Sequence, residues 1–599
     1  DNTTGTFVLY FDIINFVVDG TTHEYIASAS WTNSAVSGVS FSIDAGSEKI
    51  EKGTVTPENL TESTPISGSV ALEIFVNNTT NFDLSNITIS FSQSVNLDET
   101  DYVLNDDGGI TINDYTGSGS NIVIPDSYTV GGMTYPVTSV GDITFSNDSN
   151  IQTVTLPDTI TSIGSSAFNT CSNLTTINLP DGLTEIGGSA FANCTKLTEI
   201  VLPETLTTIG SNAFFNCTSI SGTLNIPASV TSIGQGGLTL QGLTEFIVDP
   251  GNDYFTAYNG VLYSKDMTRL LAYPTKKATT NFVVPDTVLT IDNYAFRGST
   301  ALRGTLTLSP NLTTIGSGVF SNSYNLTGEL TIPASTASIK EGTFAGCRFT
   351  AFVVDEGNPN YTAVDGVWYD KDVTKLLQYP AGKTQENFVV PSTVVEISDS
   401  AIQGCVNLTG TITLPSNLQT IGTGAINNCT NLTGGLVIPQ TVTDIGTHPF
   451  YGSTFTSFSI DNDYYTTLGG VLYDADMTTL VQYPTGKPDT SFTVPSSVVT
   501  IDSYTFRGNK SLNEITIPSS VTSIGENAYS GCSNLVTVTI DSQAVAAMLS
   551  SINSASYLVR YATTVYVSES AAGALPEEFS TIFVETTSDK TGYKKYSAL

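Results

Sequence analysis

The residues in this 599-residue chain that could do chemistry are few: two histidines, seven cysteines and a handful of paired aspartates. His23 and His448 stand more than 400 positions apart. A His-based metal site needs more imidazoles than that, and a catalytic triad would have to rest on one of these two with no partner identifiable. His448 lies in Gly-Thr-His-Pro-Phe, where a solvated loop imidazole is the plain reading. Cys171, Cys194, Cys217, Cys347, Cys405, Cys429 and Cys532 could form a thiolate ladder for a metal. Stacked ~4.8 Å apart, Cys171 could also bridge to Cys194, or Cys405 to Cys429. Their number is odd, however, and Ser299, Ser323, Ser453 and Asn509 hold the same phase elsewhere, which fits a small buried side chain facing backbone. Asp106 with Asp107, Asp370 with Asp372 and Asp474 with Asp476 invite a calcium reading, but none has hand-type loop spacing, and turn chemistry explains them. No nucleophile–base couple, tuned carboxylate pair or phosphate-binding glycine loop stands out, so neither cofactor nor metal is expected.

The elements that must position these residues repeat. VTLPDTITSIGSSAFNTCSNL, INLPDGLTEIGGSAFANCTKL and IVLPETLTTIGSNAFFNCTSI follow one another, with Pro157, Pro180 and Pro203 spaced by 23 residues and Pro227 after 24. The alternating segment before each proline reads as a short strand, which the proline ends because it offers no ladder donor. Gly164, Gly187, Gly210 and Gly234 suit either a positive φ or a close backbone approach. Four residues later an aromatic recurs at Phe145, Phe168, Phe191, Phe214, Phe296, Phe320, Phe344, Phe450, Phe506 and Tyr529, with Leu238, Ile402 and Ile426 replacing it elsewhere. No single unit could bury that residue; stacked units would bury it against each other. The pattern predicts a solenoid over 101–540, mainly β with short helical or 3₁₀ turns.

A longer period overlies the first. GVLYSKDMTRLLAYP, GVWYDKDVTKLLQYP and GVLYDADMTTLVQYP begin at Gly260, Gly366 and Gly470, spaced by 106 and 104 residues. Each reads as a β-hairpin inserted into the coil, giving inserts near 245–284, 350–390 and 455–494. The unit after each insert carries Asp292, Ser398 or Asp502 at the glycine phase, as duplication of one cassette would leave it. Residues 1–100 lack the repeat and read as strands between Gly/Ser/Asn/Thr turns, a small all-β sandwich-like domain. A hairpin-rich lead-in follows from Tyr102. Residues 541–599 read as a C-terminal cap, with a helical turn or two at AVAAMLSSI and strands at VYVSE and IFVET.

Composition narrows the partners. Lys and Arg number 21 against 56 Asp and Glu, a formal charge of -35 that repels nucleic acid and anionic membranes. No apolar run approaches the ~20 residues of a membrane helix. Asp1 does not open a basic, apolar leader, so the chain is either cytosolic or numbered after a leader is removed.

One surface follows from the strand period. Inward aliphatics leave Thr155, Asn178, Val201 and Asn225, and beside them Thr153, Thr176, Glu199 and Thr223, pointing outward; Thr307, Thr331, Thr413, Thr516 and Thr539 extend the row. Threonine's β-propensity accounts for such a row without function, and a polar docking face for protein or glycan accounts for it with one. Insert aromatics such as Tyr254, Tyr263, Trp368, Tyr369 and Tyr473 could stack on sugars, but their threefold recurrence suits packing of hairpin onto coil. Asn173, Asn325, Asn407 and Asn431 head Asn-x-Thr tripeptides, glycosylation acceptors in a eukaryotic secretory chain and turn residues in a bacterial one.

The IPxxVTxIGxxAFxxC pattern, with the Gly-Val-Leu-Tyr inserts and their Tyr-Pro endings, resembles the BspA-like leucine-rich repeat surface proteins of bacteria and some parasitic protists. The resemblance covers Tyr102 to Ile540 and implies a secreted or cell-surface, non-enzymatic adhesion protein that binds host matrix proteins or other cells. It carries over no catalytic residues. Two other readings stand beside it: a structural spacer projecting an N-terminal binding domain, and a glycan-binding or glycan-processing protein.

Overall fold

The computed structural model describes residues 102–599 apart from 118, 341 and 552–556, together with the backbone of seven earlier strands: Asp12–Ile13, His23–Thr32, Val39–Ala45, Glu48–Lys49, Gly53–Val55, Ser67–Val76 and Thr88–Ser94. The chain forms two compact units, Asp1–Val261 and Leu262–Leu599. Both are built from stacked coils, and the fold is a mainly β solenoid with very little helix.

Most coils contribute two short strands; the coil that holds Pro203 has only the second. The one before the proline was expected: Asn121–Val123, Thr153–Thr155 and Thr176–Ile177 pair parallel in register, Asn121 opposite Thr153 and Thr153 opposite Thr176. The second lies just before the repeat glycine, at Ser162–Ile163, Glu185–Ile186, Thr208–Ile209 and Ser232–Ile233, and makes its own parallel sheet. Only two residues long, it has too little alternation to announce itself. Between the strands Pro157 and Pro180 sit in tight turns closed by Ile160 N–H on the Pro157 carbonyl and Leu183 N–H on that of Pro180.

The return path from glycine to cysteine is a chain of turns. Its left-handed residues are Ser166 (φ 56°) and Thr170 (63°), then Ser189 (54°) and Asn193 (62°), then Asn212 (55°) and Asn216 (61°). Two left-handed residues per turn interrupt any helix. The helices described, Gln543–Ala547, Glu569–Ala572 and the 3₁₀ segment Glu577–Thr581, all lie after the last repeat. The repeat glycines serve the other purpose open to them, close approach. A Cβ on Gly187 would sit 2.6 Å from both the Gly164 carbonyl carbon and the Ser165 nitrogen of the coil before.

The aromatic spine is the core. Phe145, Phe168, Phe191 and Phe214 stack with centroids 5.0, 5.3 and 5.3 Å apart and planes within 9°. All four are buried. In the second unit the Tyr of each Tyr-Pro ending takes a spine place: Tyr273 stacks on Phe296 at 4.9 Å, and Tyr483 on Phe506 at 5.1 Å. The insert is therefore a full coil with its own spine residue.

Around the second insert, Tyr361–Val364 and Val367–Asp370 form the hairpin, and Lys375–Gln378 pairs antiparallel with the latter. Lys375–Gln378 then starts the parallel sheet that runs through Glu396–Ile397, Thr420–Ile421 and Asp444–Ile445. The coil after each insert is stacked on this strand rather than on a glycine turn, and there Asp292, Ser398 and Asp502 replace glycine, each donating its N–H to the carbonyl of Leu270, Leu376 or Leu480. Asp292 is buried and meets Arg269 at 2.6 Å. Burial pushes its carboxyl up from the ordinary range while the guanidinium pulls it back down.

Before Tyr102 the strands pair in two antiparallel groups, and Thr88–Ser94 of the second also pairs parallel with Asn121–Val123, Gln93 opposite Ile122. At the other end Thr564–Ser568 adds in register to Thr537–Ile540, followed by antiparallel Tyr593–Ala598 and Phe583–Thr586. This corrects one expectation. Thr539 is buried, not outward, because the C-terminal segment folds over it and the Lys590 ammonium donates to its hydroxyl at 3.3 Å.

Candidate functional site

The cysteines are structural donors. Each thiol lies within reach of the spine carbonyl one coil back: Cys171 to Phe145 (3.0 Å), Cys194 to Phe168 (3.1 Å), Cys217 to Phe191 (3.1 Å), Cys347 to Phe320 (3.2 Å), Cys429 to Ile402 (2.8 Å) and Cys532 to Phe506 (3.0 Å). Ser323 makes the same bond to Phe296 at 2.8 Å, which is why serine exchanges with cysteine here. All seven cysteines are free and buried. Burial pushes the thiols of Cys171, Cys217 and Cys532 up to about 12, so they are protonated and poorly nucleophilic at neutral pH.

The aspartates serve turns. Asp474 accepts from Thr478 N–H (2.7 Å), Thr478 hydroxyl (2.6 Å) and Thr479 N–H (2.8 Å), and Asp370 accepts likewise from Thr374 and Lys375. Asp107 accepts from Gly109 N–H. Among the described residues no group of three or more His, Cys, Asp or Glu stands together in a way that could hold a metal ion. The asparagines of the Asn-x-Thr tripeptides donate backwards: Asn173 to the Ser149 carbonyl, Asn325 to Thr300, Asn407 to Gly382 and Asn431 to Val406. Threonines do the same, Thr184 to Thr161, Thr207 to Thr184 and Thr231 to Thr207.

The inserts bury most of their aromatics. Tyr263, Trp368, Tyr369 and Tyr473 are buried, while Tyr254, Tyr258 and Tyr464 are exposed. Each insert is latched by an asparagine that sequence reasoning passed over. Asn252 donates to the Pro227 and Val230 carbonyls while its own carbonyl accepts from Tyr254 and Phe255. Asn358 and Asn462 repeat the arrangement in the other two. The signal was available as a fixed distance, eight residues ahead of Gly260, Gly366 and Gly470.

What remains free is the outward face. Thr155, Val201, Asn225, Thr176, Glu199 and Thr223 are exposed, and Val201 keeps 69% of its surface in solvent. Two members of the row are committed elsewhere. Thr153 is half-buried with its hydroxyl on the Asn121 side chain at 2.9 Å. Asn178 is exposed, but its amide pairs with both backbone groups of Leu156, accepting and donating at 2.9 Å, in the manner of a neighbouring strand. Thr223 stands opposite Glu245 and Asn225 opposite Ile247 in the parallel ladder.

Stacked two-strand coils, a stacked aromatic spine and small buried donors at the cysteine phase define a leucine-rich repeat solenoid. The family model for the BspA type leucine rich repeat region matches six copies over residues 120–248, 272–357, 381–484 and 486–571, and the chain belongs to that family. Among solved structures it is similar to a leucine rich cell surface protein from Faecalibacterium prausnitzii A2-165 (26% identity, 73% of this chain and 92% of that one, TM-score 0.32). It is also similar to a leucine-rich repeat protein from Eubacterium ventriosum (26% identity, 59% and 92%, TM-score 0.40) and to the pneumococcal vaccine antigen PcpA (18% identity, 71% and 96%, TM-score 0.34). No curated protein matches the chain. No helix among the described residues is long and apolar enough to cross a membrane.

Proposed function

We propose that this is a non-enzymatic recognition protein of the bacterial cell surface, adhering to host matrix proteins or to neighbouring cells through the outward strand face. The observation that carries the reading is the division of labour among polar side chains. Cysteines, asparagines and threonines of the turns are spent on bonds between coils, whereas Thr155, Thr176, Glu199, Val201, Thr223 and Asn225 are exposed and not required by them. Such side chains, on the strands Thr153–Thr155, Thr176–Ile177 and Ser221–Ile226 and on the extended segment at 199–201 between them, line one face of the kind that solenoids commonly use for docking. The spacer reading differs only in where the partner binds.

The test is capture of purified matrix proteins or intact cells by the full chain and by a variant carrying Thr155→Lys, Val201→Lys and Asn225→Lys. The expected result is binding by the parent chain at physiological salt and at least tenfold weaker binding by the triple variant, with an unchanged melting profile. Binding that the triple variant retains in full would move the partner off this face.

A further inference from the structure

The two later cassettes are copies, so positions where they diverge completely are positions the fold does not dictate. One cluster stands out by that test. In the coils flanking the third insert, His448 lies 4.8 Å from Tyr504 and 5.6 Å from Tyr451, and the two tyrosine rings are 5.3 Å apart. The Arg507 guanidinium lies over both, 4.7 Å from the Tyr451 ring and 5.1 Å from that of Tyr504. Around the second insert the same four phases hold Gly342, Ala345, Ser400 and Gln403; around the first they hold Gly236, Thr239, Tyr294 and Arg297, so the tyrosine and arginine recur there and the full set of four stands in the third alone. The backbone is alike in both copies: φ is 68° at Gly342 and 43° at His448, 55° at Ser400 and 60° at Tyr504. The second cassette thus builds the same turns without any of the four side chains. The third places an imidazole at a left-handed phase that Gly342 fills in its copy and that Ser166, Ser189 and Asn212 fill in the earlier coils.

The chemistry of the cluster is that of a donor-rich aromatic patch, with the Asp502 and Asp399 carboxylates close enough to act on His448. All four residues are half-buried, so each keeps part of its surface in solvent. Asn428 donates to the Tyr451 hydroxyl at 3.1 Å and Asn527 to that of Tyr504 at 3.4 Å, which leaves each phenolic proton to donate outward. Arg507 makes no ion pair among the described residues. A guanidinium held over tyrosine rings by their π-faces still has five N–H donors, and the planar fork they form fits a bidentate carboxylate. Polyanions are disfavoured by the chain's charge of -35. An extended peptide would need free main-chain groups to align on. Here they are spent between coils: Asn428 N–H on the Tyr451 carbonyl, Tyr504 N–H on Glu526 and Gly508 N–H on Ser530.

We propose that His448, Tyr451, Tyr504 and Arg507 form a binding site for a glycan bearing a single carboxylated sugar, the carboxylate on Arg507 and the sugar ring against the tyrosines. The site lies at a different repeat phase from the outward strand face and stands or falls without it. The experiment is titration of the full chain, by calorimetry or ligand-observed NMR, with a sialylated trisaccharide, a glucuronic-acid disaccharide, the neutral sugar lacking the carboxylate, and an acidic tetrapeptide. The variants are Arg507→Gln and the fourfold change His448→Gly, Tyr451→Ala, Tyr504→Ser and Arg507→Gln, which installs the residues of the second cassette and so preserves the coil. The proposal expects saturable binding of at least one acidic sugar, at least tenfold weaker binding of the neutral one, a tenfold or greater loss with Arg507→Gln and abolition in the fourfold variant. Absence of binding at millimolar sugar, equal affinity for the neutral sugar, tighter binding of the peptide, or binding that survives the fourfold change would each overturn it.

Discussion

The uninterrupted coils from Phe145 to Phe214 and the coils that follow an insert solve one packing problem in two ways. In the first stretch the spine rings lie within 9° of parallel, and every glycine-phase residue has the backbone of the coil before it where a Cβ would go. After the first insert the rings tilt, 21° for Tyr273–Phe296 and 27° for Phe296–Phe320, before returning to 10° for Phe320–Phe344. There the preceding coil presents a strand instead of a glycine turn, and aspartate or serine takes the glycine's place. The contrast teaches that the repeat's most regular residues are set by the neighbouring coil and relax as soon as that neighbour changes.

The largest expected effect is on the spine. Phe191→Ala leaves a ring-sized cavity between two stacked phenylalanines and should cost about 3–5 kcal/mol, read by denaturant unfolding. If it costs less than about 1 kcal/mol, the stack is not the core. Next comes the insert latch. Asn358→Ala strips the buried Pro333 and Thr336 carbonyls of their donor and should cost about 2–3 kcal/mol, with faster hydrogen exchange confined to the second insert. Exchange unchanged there would mean that other contacts hold the hairpin. A smaller change, about 1 kcal/mol or less, is expected for Cys194→Ser, because serine makes the equivalent bond at Ser323. A thiol reagent should label none of the seven cysteines in the native chain and all seven in denaturant; native labelling would contradict their burial.

The smallest effect is on an insert turn. Partial burial pushes the Asp474 carboxyl up, but the bonds from Thr478 and Thr479 outweigh it and hold the group below the usual carboxylate range. The stabilisation is therefore present above the unfolded value of about 3.9 and is lost as pH falls through the lower folded value. Acidification through that window should speed exchange at Thr478 and Thr479, and Asp474→Asn should blunt the response. An identical acid response in the variant would assign the loss to other carboxylates.

Much of this was legible because the repeat spells out its own neighbours. The proline-ended strand, the spine, the inward cysteines and the three inserts follow from period and residue type. The second strand escaped notice because Glu185–Ile186 and its kin are two residues long. The left-handed turns were hidden because serine, threonine, asparagine, tyrosine and histidine all fill them, where a reader looks for glycine. Asn178 looked like a surface side chain because nothing in one sequence says that an amide will stand in for a strand. Thr539 was misplaced because its cover comes from Lys590, fifty-one residues on and outside the period. The Tyr-Pro tyrosines were read as hairpin packing, yet they occupy the spine itself.

Gly187→Ala and Ser398→Ala, compared in the same chain by denaturant unfolding, test the central claim most directly. A neighbour-built coil predicts that the added methyl at Gly187, 2.6 Å from backbone on the coil before, costs about 3 kcal/mol. The buried Ser398 hydroxyl has no hydrogen-bond partner among the described residues, so removing it should leave stability within about 1 kcal/mol or raise it. Equal costs at the two sites, or a tolerated Gly187→Ala, would contradict the account.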